Sequence, residues 1–206
     1  MRYSGPSCRL CRREGQKLYL KGERCMSPKC AITRRGTPPG ANVKKFSKLS
    51  EYGRQLREKQ KAKRIYTLTE SQFQRYYSTA SAKKGKATGD LMLTMLEMRL
   101  DNVLYRAGFT DSRAQARQYV SHGLFAVNGK TVTVPSYQLK VGETFAIRDK
   151  VKASPVFTAK KDIKVQPPTW IDADITNFKG SIKRELVRDD LPSEIDAQLI
   201  VEYYSR

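Results

Sequence analysis

The four cysteines, Cys8, Cys11, Cys25 and Cys30, fall close together near the start of the sequence, and the 176 residues after Cys30 contain none. Their spacing is CxxC, then thirteen residues, then C-x4-C. Two close pairs joined by a short loop suit tetrahedral coordination, because each pair supplies two thiolates and the loop folds back to unite them. A reducing compartment disfavours disulfides. Buried structural cysteines would be scattered among apolar residues, whereas these are surrounded by Arg9, Arg12, Arg13, Arg24 and Lys29, whose charge favours thiolates. The expectation is therefore one metal site built from all four. Zinc is the expected metal, with a [4Fe–4S] cluster as the alternative, since four thiolates can hold either. With no histidine or carboxylate ligand and no open position, the role expected is structural, holding a core-poor basic segment in one shape.

Chemistry beyond that is absent. His122 is the only histidine, and no Asp or Cys constellation surrounds it. There is no GxSxG, no P-loop, no dinucleotide fingerprint and no carboxylate pair with a suggested acid–base role. The sequence does not read as an enzyme.

Charge points elsewhere. The 206 residues carry 40 Lys and Arg against 20 Asp and Glu, a net charge of +20. A chain this basic implies nucleic acid or an anionic membrane as partner. No run of about 18 apolar residues exists to span a bilayer. The opening MRYSGPSC lacks the apolar core of a signal peptide, so a cytoplasmic location is expected. The charge is also uneven: residues 1–87 hold 23 cations and 5 acids, residues 88–206 hold 17 and 15. The front of the chain is the expected polyanion surface.

The elements that would position these groups follow from patterning. Residues 33–50, rich in Gly, Pro and cations, read as an extended arm. Ser50 caps a helix whose sparse apolar face is Tyr52 and Leu56, with Lys59, Lys61, Lys63 and Arg64 adding charge. Thr69 and Gln72 form a capping box for a second helix, on which Phe73, Tyr76, Tyr77 and Ala80 fall at helical spacing and read as core. TGDLMLTMLEMRLDNVLYRAGF predicts one long amphipathic helix stopped by Gly108. Ser112 and Gln115 propose another capping box, Gly123 ends that helix, and Arg113 and Arg117 share a face that Arg106 can join. Asn128-Gly129 signals a type I′ hairpin turn between Phe125/Val127 and Val132/Val134, and FAIRD adds a strand after Gly142. Strands are also expected around Lys179-Gly180, with Trp170 as a packing residue. LPSEIDAQLIVEYYSR reads as a short helix then a strand, or as helix throughout.

MRLDNVLYRAGFTDSRAQARQYVSHGLFAVNGKTVTVPSYQLKVGE resembles the RNA-binding module named after bacterial small-subunit ribosomal protein four. RYSGPSCRLCRREGQKLYLKGERC, the PPG turn, LSEYGRQLREKQKAKRIY and the tail LIVEYYSR extend the resemblance to that family along the whole chain, in its cysteine-bearing form. The resemblance implies a structural constituent of the small (30S) ribosomal subunit. It implies primary binding to the five-prime domain of 16S-type rRNA, nucleation of assembly, contact with small-subunit protein five, and a contribution to accuracy. It also places Lys45 and Lys48, by position, beside the channel through which mRNA enters. No membrane and no DNA partner is implied. The family's PPGQHG is PPGANV here, and its histidine-glycine-histidine is His122-Gly123-Leu124, so the contacts made by the replaced residues are not carried over.

The fold expected is α+β: a metal-bound basic N-terminal segment and arm at 1–43, and a helical domain at 44–88 with about 186–206. Between them lies an α+β domain at 89–185 containing the RNA-binding module at about 97–160, two helices plus short antiparallel strands. Binding should rest on phosphate neutralisation and shape. The candidate RNA-binding residues are Arg2, Arg9, Arg12, Arg13, Lys17, Lys45 and Lys48 in the front segment, then Arg57, Lys61 and Arg64. In the module they are Arg113, Arg117, Gln118, His122 and Lys130.

Overall fold

A computed structural model describes residues 3–40, 49–152, 154, 157 and 166–206. The chain divides into two compact units, residues 1–93 with 192–206, and residues 94–191.

The first unit opens with three short helices that carry the cysteines: α1 (Ser7–Glu14), α2 (Glu23–Met26) and α3 (Ala31–Arg34). Gly15 ends α1 in the left-handed conformation at φ 72°, where a side chain would be strained. Helix α4 (Glu51–Ile65) starts where Ser50 Oγ accepts the Gly53 amide at 3.2 Å, as its sequence predicts. Its buried face is not Tyr52 and Leu56 but Gln55, Lys59, Ala62 and Ile65; Tyr52 is exposed. Helix α5 (Glu70–Ser81) has the expected reciprocal box between Thr69 and Gln72, and buries Phe73 and Ala80.

The long helix expected after residue 88 is broken in two, α6 (Thr88–Glu97) and α7 (Leu100–Arg106). The amphipathic spacing runs through the break, but Arg99 is extended at φ −66°, ψ 137° and bridges to Gln138. The Leu100 and Asp101 amides donate to Tyr137 O at 2.8 Å and Pro135 O at 3.2 Å, replacing intrahelical bonds. A loop that arrives from 34 to 39 residues later thus outcompetes local propensity.

Helix α8 (Arg113–Ser121) follows. Ser112 Oγ accepts the Gln115 amide at 3.3 Å, yet Gln115 Oε1 accepts the Asp111 amide at 2.8 Å, so the expected box is offset by one residue. The strands β1 (Phe125–Val127), β2 (Lys130–Thr131), β3 (Thr144–Ile147), β4 (Ile171–Asp174) and β5 (Lys179–Ile182) form one antiparallel sheet in the order β2-β1-β3-β5-β4. Asn128 and Gly129 both take positive φ, 49° and 78°, as a type I′ turn requires. The hairpin is shorter than its alternation suggests, because β2 stops at Thr131 and Val134 is exposed. Gly180 has no room for a side chain: a Cβ would lie 2.6 Å from Phe145 Cζ and 2.7 Å from Asp172 O. Phe109, Phe125, Phe145, Phe157, Trp170 and Phe178 fill the core against α7 and α8. A one-turn helix α9 (Asp149–Lys152) follows β3.

The final segment is helical, with no strand: α10 (Ala197–Tyr204), capped by Asp196. It packs on α4 and completes the first unit, burying Ile200. Gly89 permits this approach, since a Cβ there would lie 2.7 Å from the Ala197 Cβ.

Candidate nucleic-acid interface

Cys8 and Cys11 lie one turn apart on α1, Cys25 on α2, and Cys30 at the N-terminal cap of α3. All four are free thiols, and all but Cys8 are buried. Burial pushes the Cys11 thiol up, and Cys25, Cys8 and Cys30 add to this electrostatically. The Lys21 amide donates to Cys25 Sγ at 3.4 Å. At Cys30 burial works upward, but the Ile32 and Thr33 amides and the Lys17 cation prevail and hold the thiol below its ordinary range. Four sulfurs are the donor type that a thiolate-bound metal uses. Among the described residues, no three His, Cys, Asp or Glu side chains are gathered closely enough to hold an ion as they stand.

Around this segment Arg9, Arg13, Lys21, Arg24, Lys29, Arg34 and Arg35 are exposed. Lys17 is half-buried beside Cys30. Arg12 is turned inward, donating to Thr37 O at 2.8 Å and Pro38 O at 3.0 Å, and so fixes the Pro-Pro turn rather than standing free. Arg2, Lys45 and Lys48 lie outside the described residues.

The α4 cations are less available than their sequence suggests. Glu14, with a side chain 2% exposed, pairs with Arg57 at 3.3 Å and with Arg64. Burial raises the Glu14 carboxyl even against these two guanidinium groups. Lys61 pairs with Glu58 at 2.6 Å. Arg57 and Arg64 thus bind α4 to α1, and all three cations present only part of their charge outward.

In the second unit, Arg113 is a correction. It is 9% exposed, donates to Asn102 Oδ1 at 2.7 Å and stacks over the Tyr105 ring at 4.4 Å. Arg117 pairs with Asp101 at 3.5 Å and is largely buried. Arg106 grips Glu97 through two hydrogen bonds of 2.9 and 3.0 Å. Gln118, His122 at the end of α8, and Lys130 at the hairpin are exposed. Pattern reasoning missed the carboxylates that organise these arginines, Glu97 and Asp101, because an acid on a helix is ordinarily a solvated one. It also passed over exposed Lys21, Arg34, Arg35, Lys83 and Lys84, which net charge alone could have nominated.

Among the described residues no helix is long and apolar enough to cross a membrane. Residues 2–97 match the ribosomal protein S4/S9 N-terminal domain, and residues 98–145 match the S4 domain. The two matches meet at the break between α6 and α7. Along its whole length the chain is 52% identical to small ribosomal subunit protein uS4 of Acetivibrio thermocellus, covering 99% of that protein. It is 51% identical to the protein of the same name from Geotalea daltonii and 48% identical to uS4A of Clostridium botulinum, with 99% of each covered. The chain belongs to the family of small ribosomal subunit protein uS4.

Proposed function

We propose that this protein acts, within the cytoplasmic small ribosomal subunit, as the primary binder of the five-prime domain of the small-subunit rRNA, and nucleates assembly there. It is a structural, non-enzymatic protein of the small subunit that binds rRNA. The observation that carries the finer reading is the concentration of exposed cations on α1–α3. There, Arg9, Arg24, Lys29, Arg34 and Arg35 have no hydrogen-bonded or ion-paired side-chain partner among the described residues. Each can neutralise a phosphate and release counterions where RNA helices crowd together. Gln118, His122 and Lys130 give the second unit a further contact line. Phosphate contacts would set register, and RNA shape would supply specificity. Contact with small-subunit protein five, through the charge-balanced region after residue 150, and with mRNA through Lys45 and Lys48, completes the reading.

The test is binding to the isolated five-prime domain against a second rRNA domain of equal length, across a salt series. Tighter binding to the five-prime domain at every salt is expected. Equal affinity for both RNAs would overturn it.

Cys8, Cys11, Cys25 and Cys30 would hold zinc, with a [4Fe–4S] cluster as the alternative. The metal would supply a cross-link among three helices too short to be stable alone. Elemental analysis with an absorption spectrum should find one zinc per chain and no visible band; iron with a broad visible band would assign the cluster.

A further inference from the structure

The second unit places two acids where a polyanion-binding surface should have none. Glu97 is fully buried and Asp101 is 3% exposed. The break between α6 and α7 sets them at the end of one helix and in the first turn of the next. From there each holds a separate string of donors. Glu97 takes both fork nitrogens of Arg106. It also accepts the Asn102 amide at 2.8 Å, which fixes that side chain so that its Oδ1 faces Arg113 Nε at 2.7 Å. Arg113 is then clamped from its flat side by Tyr105. Asp101 is gripped by Arg99 through hydrogen bonds of 2.9 and 2.6 Å and accepts Arg117 at 3.5 Å. Two carboxylates thus fix the direction of three arginines on α7 and α8.

We propose that Glu97 and Asp101 are positioning residues for RNA recognition: they hold Arg106 and Arg117, with buried Arg113 as a brace, in one arrangement that a phosphate backbone of defined shape can meet. This deepens the proposed rRNA-binding function and rests on it. Fixing long arginines before binding removes the ordering cost that free ones would incur at the interface. The acids act through the arginines and touch no RNA.

Simple charge accounting predicts the opposite sign, which makes the idea testable. Neutralising an acid in a polyanion binder should tighten all RNA binding. Full-length Glu97→Gln and Asp101→Asn should instead bind the five-prime rRNA domain about tenfold more weakly, the loss of one charge-assisted hydrogen-bonding partner. Their affinity for an unstructured polyuridine should be equal to, or above, that of the parent. A purely structural role would lower both affinities together with the melting temperature. If either acid variant fails to fold, Arg106→Lys decides, because it keeps the charge and loses the fork. It should weaken binding to the rRNA domain and leave the salt slope unchanged. Cognate affinity at or above the parent's in these variants would overturn the proposal. A parent protein that does not discriminate the rRNA domain would instead overturn the function on which it rests.

Discussion

Lys59 shows how far a single residue can depart from its type. It is 4% exposed, on the inner face of α4. Its ammonium meets Glu70 at 2.7 Å and lies 4.3 Å from the centre of the Tyr203 ring. Glu70 also accepts Lys63 at 2.7 Å and the Tyr204 hydroxyl at 2.8 Å. Burial works against the Glu70 carboxylate, but these three donors prevail and lower its pKa to about 2. Burial and this same carboxylate push the Tyr204 phenol well up. Nothing in the local sequence marks Lys59 as internal, because the tyrosine it lies beneath arrives at the far end of the sequence. A lysine among lysines reads as surface charge. Because the folded pKa of Glu70 is depressed, its contribution is present above the unfolded value near 4.5 and is lost as pH falls towards 2. With 43% of the side chain in solvent, screening holds that contribution to about 1–2 kcal/mol. Urea unfolding of Glu70→Gln against the parent should show a gap of this size at pH 6 that closes by pH 2. A gap independent of pH would mean that packing, and not charge, does the stabilising.

Elements were legible where their signals are local. Ser50 and Thr69 cap the helices their sequence assigns them, and Asn128-Gly129 turns the hairpin at the expected residues. Each of those signals is complete within four residues, so no distant segment can override it. The buried face of α4 and the continuity of the central helix depart from their spacing for the converse reason, although Met92, Leu96, Leu100, Val103 and Ala107 are buried as that spacing predicts. The inner face of α4 is chosen by α10, where Glu202 accepts the Gln55 Nε2 at 3.0 Å. The break at Arg99 is chosen by the strand-like pairing with Gln138. In both cases the deciding partner is remote in sequence and polar, and hydrophobic spacing carries no trace of it. The interface followed the same division. Exposed cations on α1–α3 were visible as charge and spacing, whereas the removal of Arg12 and Arg113 from the surface depends on backbone carbonyls and an asparagine that only the fold brings near.

At the scale of the molecule, the order of the units along the chain sets the order in which they can form. The second unit is continuous, residues 94–191, and all its core residues are available once that stretch exists. The first unit is not. Its basic helices precede the second unit, but α10, which packs on α4, follows it. Tyr204 stacks on Tyr77 with centroids 4.7 Å apart, Ser205 reaches the Tyr77 hydroxyl at 3.2 Å, and the Asp196 amide donates to Glu58 at 2.7 Å. Closing a loop of this length adds entropy cost before any contact is rewarded. The basic front of the protein therefore cannot reach its final packing until residue 204 has been made, whereas the second unit can fold earlier. Deleting residues 197–206 tests this, with amide hydrogen exchange as the measurement. Protection should persist across β1, β3 and β5, as in the parent, and should collapse across α4, where Lys59 and Gln55 would face an open side. Binding to the rRNA domain should weaken through the loss of the first unit alone. Full protection of α4 in the shortened chain would show instead that α4, α5 and the three cysteine-bearing helices already form a sufficient core, and that α10 only covers it.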